Sequence, residues 1–232
     1  MIEKEDIKDG KLDGLHESYL NGQLMIKGKY LYGKKEGLWE RFHENGQLRC
    51  RENWIDGLQQ GFHERFHDNG LLEERGNYKD VKQDGLWEFF YEDGRLNRRN
   101  NYKNGQSHGL SETFNKKGQL LYRRNQKNGK LDGLFEFFYE NGQLRHRGNF
   151  TNGKLDCLYE SFHENGQLEY RGNFKNGKEE GLFETFDENG NLTETEEYKD
   201  SNRYKIDGKI DELWGWFDED GNLIPKNKKI KK

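Results

Sequence analysis

Short runs in which apolar and polar residues alternate, each broken by Asn-Gly or Asp-Gly, recur along this chain every 24 residues. In GLWEFFYEDGRLNRRNNYKNGQSH (residues 85–108) the alternation predicts a strand over 85–92, a second over 95–102, and a turn through 103–108 into the next pair. Asn-Gly tolerates positive backbone dihedrals, which predicts a two-residue type I′ turn at each hairpin tip. The tip glycine falls at Gly22, Gly46, Gly70, Gly94, Gly118, Gly142, Gly166 and Gly190. A ninth, Gly221, arrives 31 residues later and places an irregular insertion within 199–211. A second glycine column runs through Gly37, Gly61, Gly85, Gly109, Gly133 and Gly181, with Cys157 in one slot, and a third includes Gly33, Gly57, Gly105, Gly129, Gly153 and Gly177. Glycine this frequent argues against helices.

A two-residue loop also fixes the register. Glu40 then faces Arg51, Glu64 faces Arg75, Glu88 faces Arg99, Glu112 faces Arg123, Glu136 faces Arg147 and Glu160 faces Arg171. Each such pair contributes about 0.2 to 1 kcal/mol, and a one-residue slip would send every side chain to the wrong face. The same register sets Tyr78, Tyr102 and Phe150 opposite Gly61, Gly85 and Gly133, where a ring is expected to cover a bare glycine.

The two faces differ in how much they vary. One repeats Leu38, Glu40, Phe42; Leu86, Glu88, Phe90; Leu134, Glu136, Phe138; and Leu182, Glu184, Phe186, and is expected to be the packing surface. The other carries Trp39, His63, Trp87, Ser111, Phe135, Tyr159 and Phe183 at one slot, then Arg41, Arg65, Phe89, Thr113, Phe137, Ser161 and Thr185 two residues on. Repeat proteins read partners with positions that vary on a constant scaffold.

Composition narrows the picture. Of 232 residues, 30% are hydrophobic and 35% charged, too few apolar groups for a thick core. Such a balance usually marks disorder, but 14% aromatic residues, a single Pro and the strict period favour order in a thin form. The 39 basic and 43 acidic residues are interspersed, so no basic footprint for nucleic acid is expected. No apolar run approaches the ~20 residues of a membrane span, and MIEKEDIKDG lacks a signal-peptide core. Membrane association is not expected, and the expected compartment is cytoplasmic.

Candidate chemistry is sparse. His63-Glu64-Arg65-Phe66-His67 has the residue types of the HExxH zinc motif, which needs both histidines on one helical face. Here the string lies in a strand, where residues four apart stand about 13 Å from each other, so no metal site is expected. His43, His67 and His163 share a slot with Tyr91 and Tyr139 and are expected to pack beside Leu48, Leu72 and Leu168. Cys50 and Cys157 have neither metal nor disulfide spacing and read as free thiols. Each ladder Glu has its own Arg and no repeat stands out, so neither catalysis nor a cofactor is expected.

The segments GLWEFFYEDGRL, GLFEFFYENGQL and RGNFKNGK resemble the variant class of the MORN repeat (membrane occupation and recognition nexus), as found in bacterial YwqK-like antitoxin proteins. The resemblance implies an all-β, elongated, twisted antiparallel sheet of about nine tandem hairpins over 10–223, between a lead-in at 1–9 and a basic tail at 224–232. Departures are Ser111, His63 and Gln126 in aromatic slots and Cys157 and Glu212 in glycine slots, with the fifth repeat, holding Ser111 and Gln126, the expected weak link.

The expected function is a non-enzymatic module that binds another protein through Trp39, Arg41, Trp87, Phe89, Tyr91, Phe135, Phe137, Tyr139, Tyr159 and Phe183. The resemblance implies an antitoxin or immunity-type inhibitor of a toxin or effector. A structural scaffold is the alternative, and phospholipid binding, from the family's original name, is a third that the missing basic face disfavours.

Overall fold

Two kinds of turn, alternating along the chain, build this protein. The computed structural model describes the backbone of residues 2–199, 202–206, 216–217 and 223–224 and the side chains of 3–199. Among the described residues there is no helix. The chain divides into two compact units, Met1–Leu120 and Leu121–Lys232. The first contains β1 (Ile2–Lys8), β2 (Lys11–Leu20), β3 (Gln23–Leu31), β4 (Lys34–Phe42), β5 (Leu48–Ile55), β6 (Leu58–Phe66), β7 (Leu72–Lys79), β8 (Lys82–Phe90), β9 (Leu96–Lys103) and β10 (Gln106–Phe114), each paired antiparallel with its sequence neighbour.

The second unit begins with β11 (Leu120–Lys127), whose first residue is at the boundary. It continues through β12 (Lys130–Phe138), β13 (Leu144–Thr151), β14 (Lys154–Leu155), β15 (Cys157–Phe162), β16 (Leu168–Lys175), β17 (Lys178–Phe186), β18 (Leu192–Lys199) and β19 (Asn202–Ile206), again in antiparallel sequence order. A separate two-strand pair joins β20 (Trp216–Phe217) to β21 (Leu223–Ile224). Beyond the backbone of these last strands, the insertion at 199–211, Glu212, Gly221 and the lysine tail lie outside the described residues. The boundary at Leu120 falls in the repeat that holds Ser111 and Gln126.

The type I′ turn is not where the sequence places it. At Asn21-Gly22 both residues have positive φ, as expected. At each tip from Gly46 to Gly190 only the glycine does, and the loop has three residues. His43 N–H donates to Gln47 O at 2.8 Å and Gly46 N–H to His43 O at 2.9 Å, and the other tips repeat both bonds. This is a type I turn closed by a left-handed glycine. Asn45 Oδ1 accepts from Gln47 N–H at 3.0 Å, which explains why Asn precedes that glycine. The two-residue type I′ turns join successive hairpins, at Asp56-Gly57, Asn104-Gly105, Asn128-Gly129, Asn152-Gly153 and Asn176-Gly177, where both residues have positive φ.

The expected register survives this correction because a second irregularity cancels the first. Phe42 pairs with Leu48, Arg49 is skipped as a bulge, and Arg41 pairs with Cys50, so Glu40 still faces Arg51. The same bulge restores Glu64 to Arg75, Glu88 to Arg99, Glu136 to Arg147 and Glu160 to Arg171. Tyr78, Tyr102 and Phe150 stand opposite Gly61, Gly85 and Gly133, but they do not cover them. A Cβ on Gly85 would meet nothing within 4 Å, and that glycine is required by its φ of 76°.

Two residues occupy left-handed slots that glycine fills elsewhere. Cys157 (φ 74°) stands in the column of Gly37 and Gly181, and the hairpin strand is split there into β14 and β15. Val81 (φ 64°) is β-branched, in the slot of Gly57 and Gly105, and is exposed. Its N–H reaches Gln59 O at 3.2 Å, where Gly57 and Gly105 make the equivalent bond at 2.9 Å. Left-handed backbone costs a non-glycine residue about 1 to 2 kcal/mol. Val81→Gly is therefore expected to stabilise the protein by about 1 kcal/mol, read as a higher denaturant midpoint at unchanged slope; an equal or lower midpoint contradicts the strain.

Candidate functional site

The face expected to bind a partner is the buried one. Trp39, Trp87, Phe135, Tyr159 and Phe183 retain 2%, 0%, 2%, 7% and 1% of their accessible surface. Leu38, Leu86, Leu134 and Leu182, on the face expected to pack, remain 45%, 45%, 37% and 50% exposed. The strands of each unit form one sheet with no second layer over residues 2–199. A core must then be made by side chains that lie flat across neighbouring strands, which rings do and leucines do not. The five buried rings are the core, so the expectation that they form a contact surface is corrected.

Their packing is regular. His63 stacks on Trp87 (5.6 Å between centroids, 28° between planes) and Phe135 on Tyr159 (6.2 Å, 25°). Rings from the second strand of each hairpin stand edge-on between them: Tyr78 against Trp87 at 84° and Phe174 against Phe183 at 83°. Beneath the rings lies a glycine column that the sequence reading missed. A Cβ on Gly28, Gly76 or Gly172 would come within 2.2, 2.2 and 2.0 Å of Trp39, Trp87 and Phe183. Opposite each glycine the pairing skips residues, and Trp39 and Trp87 Nε1–H donate to Lys29 O and Asn77 O at 3.2 and 3.1 Å beside those irregularities.

The charge ladder ties successive hairpins together. Arg51 binds Glu64 and Arg99 binds Glu112, while Arg75–Glu88, Arg147–Glu160 and Arg171–Glu184 close at 2.6, 2.5 and 2.5 Å. Each Arg faces the Glu40-type residue of its own hairpin but bonds the Glu of the next. The guanidiniums are about half exposed, which limits each pair to about 0.2 to 1 kcal/mol. The same Arg side chains lie over Phe66, Phe90, Phe162 and Phe186.

Both Tyr91 and Tyr139 are committed to the scaffold. Their hydroxyls donate to Phe114 O and Phe162 O, one repeat on, at 2.8 and 2.7 Å. His43 and His163 Nε2 make the same contact to Phe66 O and Phe186 O at 2.9 Å, and His67 reaches Phe90 O at 3.3 Å. A carbonyl only accepts, so these histidines carry the proton on Nε2. This bond, rather than packing on Leu48, Leu72 or Leu168 alone, explains why His and Tyr share the slot.

A half-exposed row runs beside the buried rings. In the first unit it contains Arg41, Arg65 and Phe89, with Arg98 pairing across from Phe89 and its guanidinium 4.1 Å over that ring. In the second it contains Phe137, Tyr122, His146 and Tyr170. Arg98, Tyr122, His146 and Tyr170 come from the second strand of each hairpin, where the register legible in the sequence sets them across from the first-strand row. Cys50 is a buried free thiol whose pKa burial pushes up, and Cys157 is an exposed one. Among the described residues no cluster of His, Cys, Asp or Glu has the arrangement of a metal site.

Five segments, residues 35–56, 83–104, 131–152, 155–176 and 179–200, match the MORN repeat variant. These are MORN repeats of the variant class. No match was found among curated proteins. The matched stretches are the hairpins β4–β5, β8–β9, β12–β13, β14–β16 and β17–β18. The hairpins β2–β3, β6–β7 and β10–β11 lie outside the matched stretches, and β6–β7 closes its tip with the same bonds at His67, Gly70 and Leu71.

His146 shows how this face controls ionisation. Burial first, and then the charge of Arg145, lower its pKa to about 4, and its Nδ1 lies 3.0 Å from the Tyr159 hydroxyl. A neutral imidazole can accept that hydroxyl proton; an imidazolium cannot. Because its folded pKa is depressed below about 6.5, His146 contributes stability above that pH and loses it progressively down to about 4. The imidazole is expected to titrate near pH 4 by NMR; a midpoint above 6 contradicts its burial as the neutral form.

Proposed function

We propose that this MORN-repeat protein is a non-enzymatic binding module for another protein, with the half-exposed row of the ring face as its contact surface. The observation that carries this reading is the contrast between neighbouring columns. The buried column presents a ring in every repeat but that of Ser111, whereas the row beside it runs Arg41, Arg65, Phe89 and Thr113 in the first unit and Phe137, Ser161 and Thr185 in the second. Arg and aromatic residues dominate binding energy at interfaces, and a guanidinium held over Phe89 by stacking loses little freedom on binding. Resemblance to YwqK-like proteins favours a toxin or effector neutralised by being bound.

A second reading, an assembly scaffold, draws on the other face. Exposed Leu15, Leu38, Leu86, Leu134, Leu158 and Leu182 recur there with little variation, which suits contacts that do not discriminate between repeats.

Capture from native extract, with mass spectrometry, supplies the partner. The double variant Phe89→Ser/Arg98→Ser is then expected to weaken binding at least tenfold while the sheet stays folded, as hot-spot truncation does. Unchanged affinity in a folded variant contradicts the contact surface. For the antitoxin form, co-expression should rescue growth from a toxic neighbouring gene product; failure to rescue contradicts it.

A further inference from the structure

His63 takes the place of a ring in the buried ladder, stacked on Trp87 and edge-on to Tyr78 at 5.6 Å each. Its Nε2 lies 3.1 Å from Glu74 Oε1. A carboxylate only accepts, so that nitrogen carries hydrogen in either charge state. Nδ1 has two candidate partners, the Gln59 amide nitrogen at 3.3 Å and Glu52 Oε2 at 3.8 Å. In the neutral ring Nδ1 accepts from Gln59, whose amide nitrogen also donates to Glu52 Oε2 at 2.9 Å. In the protonated ring Nδ1–H is a donor facing a donor, and the acceptor within reach is Glu52.

Glu52 has capacity for that proton. Its Oε1 is buried without a hydrogen bond, and the Arg41 Nη2 that lies 3.1 Å from it forms an ion pair rather than an aligned bond. We propose that His63 is a proton-operated switch, in which Nδ1 exchanges Gln59 for Glu52 on protonation and thereby sets how firmly Glu52 holds Arg41. Arg41 is 39% exposed along its side chain and stands in the half-exposed row, so the switch controls a side chain a partner could meet. That consequence rests on the row being the contact surface; the switch itself does not.

The surrounding charges set the direction. From β4 come Lys35 and Arg41, from β5 Glu52 and the Cys50 thiol, and from β6 Arg65, which pairs with Glu74 at 3.2 Å and Glu73 at 2.9 Å. From β7 come Glu74 and the Tyr78 phenol, from β8 the uncharged Trp87 ring, and from β9 Arg98. Burial alone would disfavour the imidazolium, but hydrogen bonds to Glu52 and Glu74 and their charges outweigh it and raise the His63 pKa. Burial of Glu52 and Glu74 is likewise outweighed by His63 and by Arg41 and Arg65, which keeps both carboxyls below their usual range. With its folded pKa above the ordinary value of about 6.5, His63 stabilises fully below that pH, and its contribution is lost as pH rises through the folded value.

The test is an NMR titration of the His63 imidazole in the full chain from pH 5 to 9, beside denaturant midpoints at the two ends. The midpoint should lie above 6.5, and Glu74→Gln should lower it by about one unit. The stability advantage of the wild type over His63→Phe, which supplies the ring found at Phe135, should be larger at pH 5 than at pH 9, a difference in which the opposite contribution of His146 cancels. A His63 midpoint at or below 6.5, or no effect of Glu74→Gln, overturns the proposal, as do identical pH profiles for wild type and His63→Phe. Should His63→Phe not fold, the titration of Glu52→Gln, which takes the charge from the acceptor that Nδ1–H turns to, decides: a lowered midpoint upholds the switch and an unchanged one overturns it. A titration as expected, in a protein whose Phe89/Arg98 variant binds its partner normally, upholds the switch and removes only the contact surface.

Discussion

A flat ring lying on bare backbone is the contact on which the rest of this structure depends. One sheet without a second layer cannot bury side chains by pointing them at another element. Trp39, Trp87 and Phe183 are buried by lying down over Gly28, Gly76 and Gly172, where a methyl group would collide with the ring. Trp39 and Trp87 are then walled by their neighbours, a histidine ring within about 31° of parallel from the preceding repeat and a tyrosine edge-on from the adjacent strand, and Phe174 stands edge-on to Phe183. The irregular pairing opposite each glycine makes room, and the indole N–H groups of Trp39 and Trp87 bond carbonyls beside it.

Everything else holds successive rings in phase. Along one edge, His43, Tyr91, Tyr139 and His163 reach a carbonyl of the following repeat, and Asn45, Asn69, Asn141 and Asn165 do so from the tips. Along the other edge, the type I′ glycines donate back to the preceding repeat, Gly57 to Lys35 O and Gly153 to Leu131 O among them. The Arg–Glu ladder runs between. The same heptapeptide, FHENGQL, stands at 42–48 and 162–168: Phe162 supports a guanidinium, His43 and Asn45 bind the next hairpin, and Gly46 closes a turn that Asn45 also caps. A change at one tip therefore acts on two repeats.

The period, the strands and the opposing pairs were legible because they follow from spacing alone. Glu40 faces Arg51 under either loop length, since the bulge at Arg49 offsets the third loop residue. Turn type was not legible: Asn-Gly serves both turns, as Asx cap before a left-handed glycine at Asn45 and as a left-handed pair with it at Asn104. Which face is buried was not legible either. Alternation shows that two faces differ, and in a two-layer protein the uniform leucine column would be the inside. Here ring size decides, and the glycines at 28, 76 and 172 were the available signal, being small where Trp39, Trp87 and Phe183 are large. His63, which looked like half of a metal motif, is a polar replacement for a ring, and its neighbours Glu52 and Glu74 follow from the register.

Solvent exchange of the indole protons tests the buried ladder most directly. Trp39 and Trp87 bond through Nε1–H to main-chain carbonyls under rings that leave them 2% and 0% exposed. Their indole signals should persist in deuterated buffer as long as the amides of the strands that carry them. Exchange at the rate of a free indole, with those amides still protected, would mean that the rings face solvent and that the core lies on the leucine face.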